Sequence, residues 1–176
     1  TCLPIIEITN HCNLRCPICL VDNRHDHHLT RAEFAGILDG LVAREGRLET
    51  INLSGGEPTL HPDLLELVDL ARRPEISRLS MSTNGIRLAG DLDLCRALAD
   101  RGVYVNLQYD ALDPAVLRRL RGPGDHVATR ERALANLEAC GVRTTLIVTV
   151  AAYCAHLYCA AERPSCGVTS MMPYPE

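Results

Sequence analysis

The sequence contains no tryptophan, a single phenylalanine and no lysine, so all 18 basic residues are arginine. Because large aromatic side chains are scarce, the core must be built from Leu, Ile, Val and Ala. No apolar run approaches the roughly 20 residues that a membrane-spanning helix needs. The net charge of −4 gives no reason to expect nucleic acid or an anionic membrane as a partner. What remains is a domain of 176 residues, 47% hydrophobic, with enough apolar material for one core.

Cysteine, by contrast, is abundant. The chain has nine cysteines, an odd number, and no secretory signal precedes them. A disulfide framework is therefore not expected. A cysteine-rich chain of this kind predicts metal binding in a reducing cytoplasm.

Three cysteines lie close together in the run Cys-Asn-Leu-Arg-Cys-Pro-Ile-Cys: Cys12, Cys16 and Cys19. Three thiolates at this spacing can bind three irons of a four-iron cluster and leave the fourth iron without a protein ligand. An open metal position is typical of a catalytic site and not of a structural one. The spacing alone leaves two alternatives: a non-catalytic zinc or iron–sulfur fragment, or a thiol oxidoreductase using Cys16 and Cys19. A zinc site would take its fourth ligand from the histidines in residues 25–28.

A second motif, Gly55-Gly56-Glu57-Pro58, follows the short apolar run 50–53. Two glycines after a strand permit positive φ and a close approach of the backbone to a ligand. A carboxylate held there can accept hydrogen bonds from a ligand ammonium group, and these are strong because both partners are charged. A zinc module has no use for Glu57, so this motif favours a catalytic site.

Apolar, β-branched runs alternate with helical patterns along the chain. The runs predict strands at residues 4–9, 50–53, 78–81, 103–108 and 144–150. Alternating strands and helices indicate an α/β fold with a parallel sheet and right-handed crossovers. The last run is continuous enough to predict a strand buried on both faces. Polar or metal-binding motifs follow each of the first four strands: the cysteine run, GGEP, Ser-Thr-Asn-Gly at residues 82–85 and Gln-Tyr-Asp at residues 108–110. They should therefore meet at the carboxyl edge of the sheet, where ligands collect.

Together, the CxxxCxxC and GGEP motifs resemble the signature of the radical S-adenosylmethionine (SAM) enzymes, over about residues 5–150. The resemblance implies a partial (βα)6 TIM-like barrel of parallel strands, here truncated after the fifth. It implies that Cys12, Cys16 and Cys19 ligate a [4Fe-4S] cluster. SAM would bind the open iron through its amino and carboxylate groups, and the motif Gly55-Gly56-Glu57-Pro58 would bind the methionine amino group.

The same resemblance suggests further cofactor-binding residues. Ile18 takes a place near the adenine that an aromatic residue usually holds. Ser82 and Asn84 are candidates for the SAM ribose or carboxylate, although a turn of this composition also satisfies its own backbone. Gln108 and Asp110 are candidates for SAM or substrate, with bracing of the loop as the alternative.

As a radical SAM core, the chain would cleave SAM reductively to a 5′-deoxyadenosyl radical that activates a C–H bond. An external electron donor such as ferredoxin or flavodoxin is implied. The sequence looks closest to a group found largely in archaea and anaerobes, which includes a pterin methylase and tetraether-lipid-synthase-like proteins. Methylation or carbon–carbon coupling of a small-molecule or lipid substrate is therefore the expected final reaction.

The end of the chain departs from this pattern. We expect residues 1–150 to form the core and residues 151–176 an atypical, non-native or truncated tail. The tail shows no helical period and no sixth βα unit, and since the chain starts at Thr1 we interpret it as a fragment. Cys154, Cys159 and Cys166 could ligate an auxiliary cluster, but the residues around them lack the family's pattern for one.

Overall fold

The computed structural model describes residues 3–19, 21 and 27–149. Five strands form one parallel sheet, with each strand paired to the next along the chain. The strands are β1 (Ile5–Thr9), β2 (Ile51–Gly55), β3 (Leu79–Thr83), β4 (Tyr104–Gln108) and β5 (Thr144–Ile147). The helices are α1 (Arg31–Glu45), α2 (Leu64–Ala71), α3 (Leu92–Asp100), α4 (Pro114–Arg121) and α5 (His126–Ala139), with a short 3₁₀ helix at Pro58–Leu60. Strand, helix and parallel strand repeat in order, as expected for a partial TIM-like barrel.

Alternating side chains give the sheet two different faces. In β1 and β2 the apolar residues Ile6, Ile8, Ile51 and Leu53 are buried in the main core. Successive side chains of a strand point to opposite faces, so polar residues such as Asn52 fall on the other face. The apolar face packs against the helices, and each fully buried aliphatic side chain contributes about 1.5–3 kcal/mol.

Helix α1 begins at a complete capping box. The Thr30 hydroxyl accepts a hydrogen bond from Glu33 N at 3.2 Å, while the Glu33 carboxylate accepts one from Thr30 N at 2.8 Å. These two bonds satisfy backbone donors that the first helical turn leaves unpaired. Helices α3, α4 and α5 begin at aspartates whose side chains do the same for their first turns.

Strand ends differ from the sequence prediction in a way that matters for the site. Strands β2 and β3 each continue two residues further than predicted, to Gly55 and Thr83. The polar rim motifs therefore start inside hydrogen-bonded strands. The prediction that the fifth strand is buried on both faces is wrong: β5 ends at Ile147, and Leu146 is 46% exposed. It pairs only with β4 in the part of the chain that the structure describes.

Several sequence predictions lie outside the described residues. They concern the tail 151–176 with Cys154, Cys159 and Cys166, and His25 of the histidine run. Among the helices that are described, none is both long and apolar enough to cross a membrane.

Candidate active site

The cysteine loop (residues 10–19) is joined directly to the GGEP turn (residues 55–58). Gly56 N donates to Thr9 O at 2.7 Å, and Glu57 N donates to His11 O at 2.8 Å. These bonds continue the pairing of β1 with β2 beyond the ends of both strands. The two sequence motifs therefore form one backbone unit at the carboxyl edge of the sheet.

Both glycines of the turn are required by the backbone at the end of β1 and the start of the cysteine loop. Gly55 has φ +121°, and a Cβ added there would lie 2.0 Å from Thr9 O. A Cβ at Gly56 would lie 2.3 Å from His11 O. Contacts this short do not occur with real side chains, so only glycine fits. The close approach that the sequence predicts is thus made by the protein's own backbone.

The three cysteines occupy one electrostatic neighbourhood at this rim. Cys12 and Cys16 are half-buried and Cys19 is exposed. Burial raises the pKa of the Cys12 thiol, a hydrogen bond from Leu14 N partly offsets this, and the charges of Glu57, Cys16 and Cys19 raise it further. Because each negative charge opposes the next, a bound cationic centre would stabilise all of them.

The loop supplies the thiols that an iron–sulfur cluster needs, on a single short segment. A backbone hydrogen bond from Cys19 N to Cys16 O, 3.0 Å long, closes the turn between two of them. Within the described residues, no three side chains of His, Cys, Asp or Glu already stand as a group that could hold a metal ion. The donor set fits a four-iron cluster, and the cysteine side chains must turn toward one another to bind it.

Histidines 27 and 28 contact β1 and the start of the cysteine loop. His27 N donates to Asn10 Oδ1 at 2.6 Å, and His28 Nδ1 lies 2.9 Å from Thr9 Oγ1. The two residues therefore connect the chain that precedes α1 to the loop.

Glu57 is 1% exposed and enclosed by donors of the protein. Its Oε1 accepts from Thr59 N at 3.1 Å and from the hydroxyls of Thr59 and Thr83, each at 2.6 Å. Its Oε2 accepts from Asn84 N at 2.8 Å. Burial raises the pKa of Glu57, and these hydrogen bonds offset part of that rise. The carboxylate therefore links the GGEP turn to the end of β3.

Ser82 and Asn84, which were predicted to bind the same cofactor, contact different parts of the protein in the structure. Asn84 Nδ2 donates to Asn13 Oδ1 at 2.8 Å, so this residue reaches the cysteine loop. Its Oδ1 accepts from Ile86 N at 2.9 Å, which closes the local turn. Ser82 instead accepts from Asn52 Nδ2 at 3.0 Å. Asn84 thus lies beside the cysteine loop, whereas Ser82 belongs to a polar network between strands.

Gln108 and Asp110 lie at the end of β4, in contact with each other. Asp110 is fully buried, and Arg121 donates to both of its oxygens at 2.8 Å. Gln108 Nε2 and Thr149 N also donate to Oδ1, at 3.1 and 2.9 Å. Burial alone would raise the pKa of Asp110, but the hydrogen bonds from Arg121 and Thr149 hold it below its ordinary value. These contacts brace the rim.

Ile18, predicted to lie near the adenine, contacts helix α4. It packs with Ala111 against Val116 and Leu120, in a small apolar cluster separate from the main core. Helix α4 is thereby attached to the cysteine loop.

Two buried arginines were missed by the sequence reasoning. Arg130 is 1% exposed; its Nε donates to Gln108 O at 2.8 Å and its Nη1 to His126 O at 3.0 Å. Its Nη2 has no hydrogen-bond partner among the described residues. The available signal was helical spacing, since Arg130 falls on the buried stripe that contains Ala133 and Leu137. A charged residue on an apolar stripe marks a buried charge.

Arg121 carried the same signal. It is 8% exposed and follows the buried Leu117 and Leu120 at helical spacing on α4. Its neighbours Arg118 and Arg119 are exposed, so composition alone does not distinguish it from a solvated arginine.

The fold and the site together give a parallel α/β sheet with three thiols and a glycine turn at its carboxyl edge, a donor set that suits an iron–sulfur enzyme. The sequence profile of the radical SAM superfamily matches residues 6–152. The chain therefore belongs to the radical SAM superfamily, whose members use a [4Fe-4S] cluster and SAM. The zinc and thiol-oxidoreductase alternatives are not favoured.

Curated relatives agree with this assignment. A probable GTP 3′,8-cyclase of Methanocaldococcus jannaschii is 35% identical over 124 residues, 68% of this chain and 40% of that protein. The 7,8-dihydro-6-hydroxymethylpterin dimethyltransferase of the same organism is 28% identical over 152 residues, 84% and 30% of the two chains. The mycofactocin maturase MftC of Mycobacterium tuberculosis is 33% identical over 148 residues, 81% and 37%. The expected pterin methylase is thus among the relatives, and the chain spans less than half the length of each.

Solved structures show the same fold. The structure of histidine-tagged anSMEcpe with bound AdoMet superposes with a TM-score of 0.70 at 22% identity, covering 88% of this chain and 44% of that one. Streptococcus suis SuiB bound to its precursor peptide SuiA gives 0.68 at 21% identity, covering 86% and 34%. The predicted partial TIM-like barrel is confirmed by these superpositions.

Proposed function

We propose that this chain is the cofactor-binding core of an enzyme that cleaves SAM reductively. Cys12, Cys16 and Cys19 would hold a [4Fe-4S] cluster, and SAM would bind the remaining iron beside the GGEP turn. When bound, the cluster supplies the electron that breaks SAM into methionine and a 5′-deoxyadenosyl radical for hydrogen abstraction. The observation that carries this proposal is the pair of backbone bonds that lock the cysteine loop to the GGEP turn.

Each residue of the rim has a distinct part in this proposal. The backbone of residues 55–58 would face the methionine end of SAM. The Glu57 carboxylate would stabilise that turn through its hydrogen bonds with Thr59, Thr83 and Asn84. Asn84 would keep the cysteine loop in register through Asn13, and Asp110 would brace the end of β4 together with Gln108. Ile18 would retain an apolar contact near the adenine.

Ser82 accepts a hydrogen bond from Asn52 in the polar network between strands, and its proposed ligand is the SAM ribose or carboxylate. The electron would come from an external one-electron donor such as ferredoxin or flavodoxin, and thiol ligands suit a cytoplasmic, reducing environment. We propose methylation or carbon–carbon coupling of a small-molecule or lipid substrate as the final reaction. We assign this function to residues 1–150 and treat residues 151–176 as a tail.

The test is anaerobic reconstitution of the protein with iron and sulfide, then reduction in the presence of SAM and a chromatographic assay for 5′-deoxyadenosine. Cys16→Ala should lose the cluster and the product. Cys95→Ala is the matched control, because Cys95 is a buried packing residue of α3 whose thiol contacts Leu88 O; it should keep both. A wild-type protein that takes up no iron would contradict the proposal.

A further inference from the structure

Beside the cysteine loop, α4 and α5 bury two guanidinium groups and one carboxylate. Arg121 and Arg130 are 8% and 1% exposed, and Asp110 is fully buried. The two-fold hydrogen bond from Arg121 accounts for the Asp110 charge. Arg130 donates its hydrogen bonds to two backbone oxygens, those of Gln108 and His126. Among the residues that the structure describes here, two cations and one anion leave one positive charge buried.

The excess positive charge lies against Cys16. The guanidinium of Arg121 donates its hydrogen bonds to Asp110 and Thr149, and the charges of both arginines act on the Cys16 thiol. Two observations place α4 beside the cysteine loop. Ile18 packs against Val116 and Leu120, and a Cβ at Gly122 would lie 3.9 Å from Arg15 O.

A cation in this position favours the more reduced state of any cluster bound through Cys16. The reduced cluster carries one more negative charge than the oxidised cluster, and a buried guanidinium interacts with it at low dielectric. Hydrogen bonds to the cysteine sulfur and nearby charge are established determinants of cluster potential. No proton and no covalent bond changes in this one-electron step; the electron comes from the external donor named above.

We propose that Arg121 is a positioning residue whose buried positive charge beside Cys16 raises the reduction potential of the cluster, with Asp110 fixing the orientation of the guanidinium and Arg130 adding the second charge. This inference rests on the proposed function, since it takes Cys16 as a cluster ligand. Arg121 acts on the cluster through Cys16, and Asp110 determines which way its planar fork points. The bidentate geometry suits this role because it fixes the guanidinium plane.

The experiment measures the midpoint potential of the reconstituted cluster, in the absence of SAM, by redox titration followed by electron paramagnetic resonance. Arg121→Gln should shift the midpoint to a more negative value. Since this variant leaves Asp110 buried without its cation, the double variant Asp110→Asn with Arg121→Gln is measured in parallel. It removes one cation and one anion, so the net buried charge returns to that of the wild type, and the midpoint should shift in the same direction by a smaller amount. Arg119→Gln, an exposed change of equal charge on the same helix, should leave the midpoint unchanged.

The outcomes separate this inference from the proposed function. A wild-type protein without a cluster contradicts the proposed function itself. Variants that hold a full complement of iron at an unchanged midpoint overturn the inference. It is also overturned if only the affinity for SAM falls, because Arg121 would then act on SAM. If both variants fold with the wild-type circular dichroism spectrum but take up no cluster, Arg121 serves loop assembly, and the assignment to potential is wrong.

Discussion

The carboxylate of Glu57 is buried among donors of the protein, surroundings that its sequence motif did not indicate. The GGEP motif identified Glu57 from the sequence, but the motif suggested a side chain facing a ligand. In the structure the carboxylate accepts hydrogen bonds from Thr59, Thr83 and Asn84. Nothing in the sequence separates Thr83 from Ser82 until the strand register is known, because neighbouring residues of a strand point to opposite faces.

Removing the Thr83 hydroxyl should destabilise the protein. Thr83→Val keeps the shape of the side chain and removes a 2.6 Å hydrogen bond to the buried carboxylate. The hydroxyl also accepts from Gly85 N at 3.1 Å. Leaving a buried polar group without its partner costs about 1–3 kcal/mol, so the free energy of unfolding should fall by that amount in urea denaturation of the metal-free protein. Thr145→Val makes the same change at an exposed position of β5 and should alter it by less than about 0.5 kcal/mol. Equal effects of the two changes would contradict a bracing role for Glu57.

His61 should make the stability of the metal-free protein depend on pH. It is 2% exposed; its Nε2 lies 3.0 Å from Leu29 O, and its Nδ1 accepts from Asp63 N. Burial lowers the pKa of His61, with the Leu29 carbonyl opposing the shift and His28 adding to it. In the folded state the ring therefore resists protonation, and the unfolded chain binds the proton first. Stability from this residue is present above the ordinary histidine pKa of about 6.5 and is lost as the pH falls below it.

The comparison with His61→Gln isolates that contribution from the other histidines. The difference in unfolding free energy between wild type and variant should be constant at neutral pH and should shrink as the pH falls through the ordinary histidine pKa. Urea denaturation at a series of pH values measures it. A difference that does not change with pH would show that His61 titrates equally in the folded and unfolded states.

At the scale of elements, the sequence predicted the strand–helix alternation and the parallel sheet but not the ends of the strands. Strands β2 and β3 run on to Gly55 and Thr83 because pairing with a neighbour decides where a strand stops. Local composition marked these residues as turn formers. The prediction for the fifth strand was wrong for a related reason. Its β-branched composition indicated burial, but burial depends on which other elements cover Leu146.

Gly56 gives a test at this scale, because it fixes the spacing of two elements. In Gly56→Ala the new Cβ would lie 2.3 Å from His11 O, a backbone atom that cannot turn away. The cysteine loop must shift, and overpacking of this kind costs about 1–3 kcal/mol. Urea denaturation should show that loss, and the reconstituted variant should hold less iron than wild type.

Gly36→Ala is the matched control within α1, where an added Cβ has nothing within 4 Å. It should stabilise the protein by about 0.5–1 kcal/mol, because alanine loses less backbone entropy in a helix. A Gly56→Ala variant with wild-type stability and full iron content would show that the loop has room to move, and that the glycine is not needed for packing.

For the whole molecule, the motifs predicted where a site should lie, whereas the way the helices support that edge of the sheet could not be read from them. The cysteine loop and the GGEP turn were expected at one edge of the sheet, and the structure brings them into backbone contact. The attachment of α4 to the loop was not expected. It depends on Ile18 meeting Val116 and Leu120, a contact between distant segments that neither segment's periodicity indicates.

This attachment predicts that α4 responds to the cluster more than the core does. Val116 and Leu120 lie in a small apolar cluster with Ile18, whereas Leu94 and Leu98 of α3 lie in the main core. Small clusters open with lower free energy than a core. In the metal-free protein, hydrogen exchange followed by mass spectrometry should therefore find amides of α4 exchanging well before those of α3.

Reconstitution with iron and sulfide should then slow exchange in α4 and leave α3 nearly unchanged. A bound cluster should fix the cysteine side chains and with them the loop, and Ile18, which packs against Val116 and Leu120, should transmit that order to α4. The variant Ile18→Ala should bind the cluster but protect α4 less, because this apolar contact is lost. If reconstitution protects the cysteine loop while α4 exchanges as before, the helix is not coupled to the site. Exchange in α4 as slow as in α3 before reconstitution would show that it already belongs to the core.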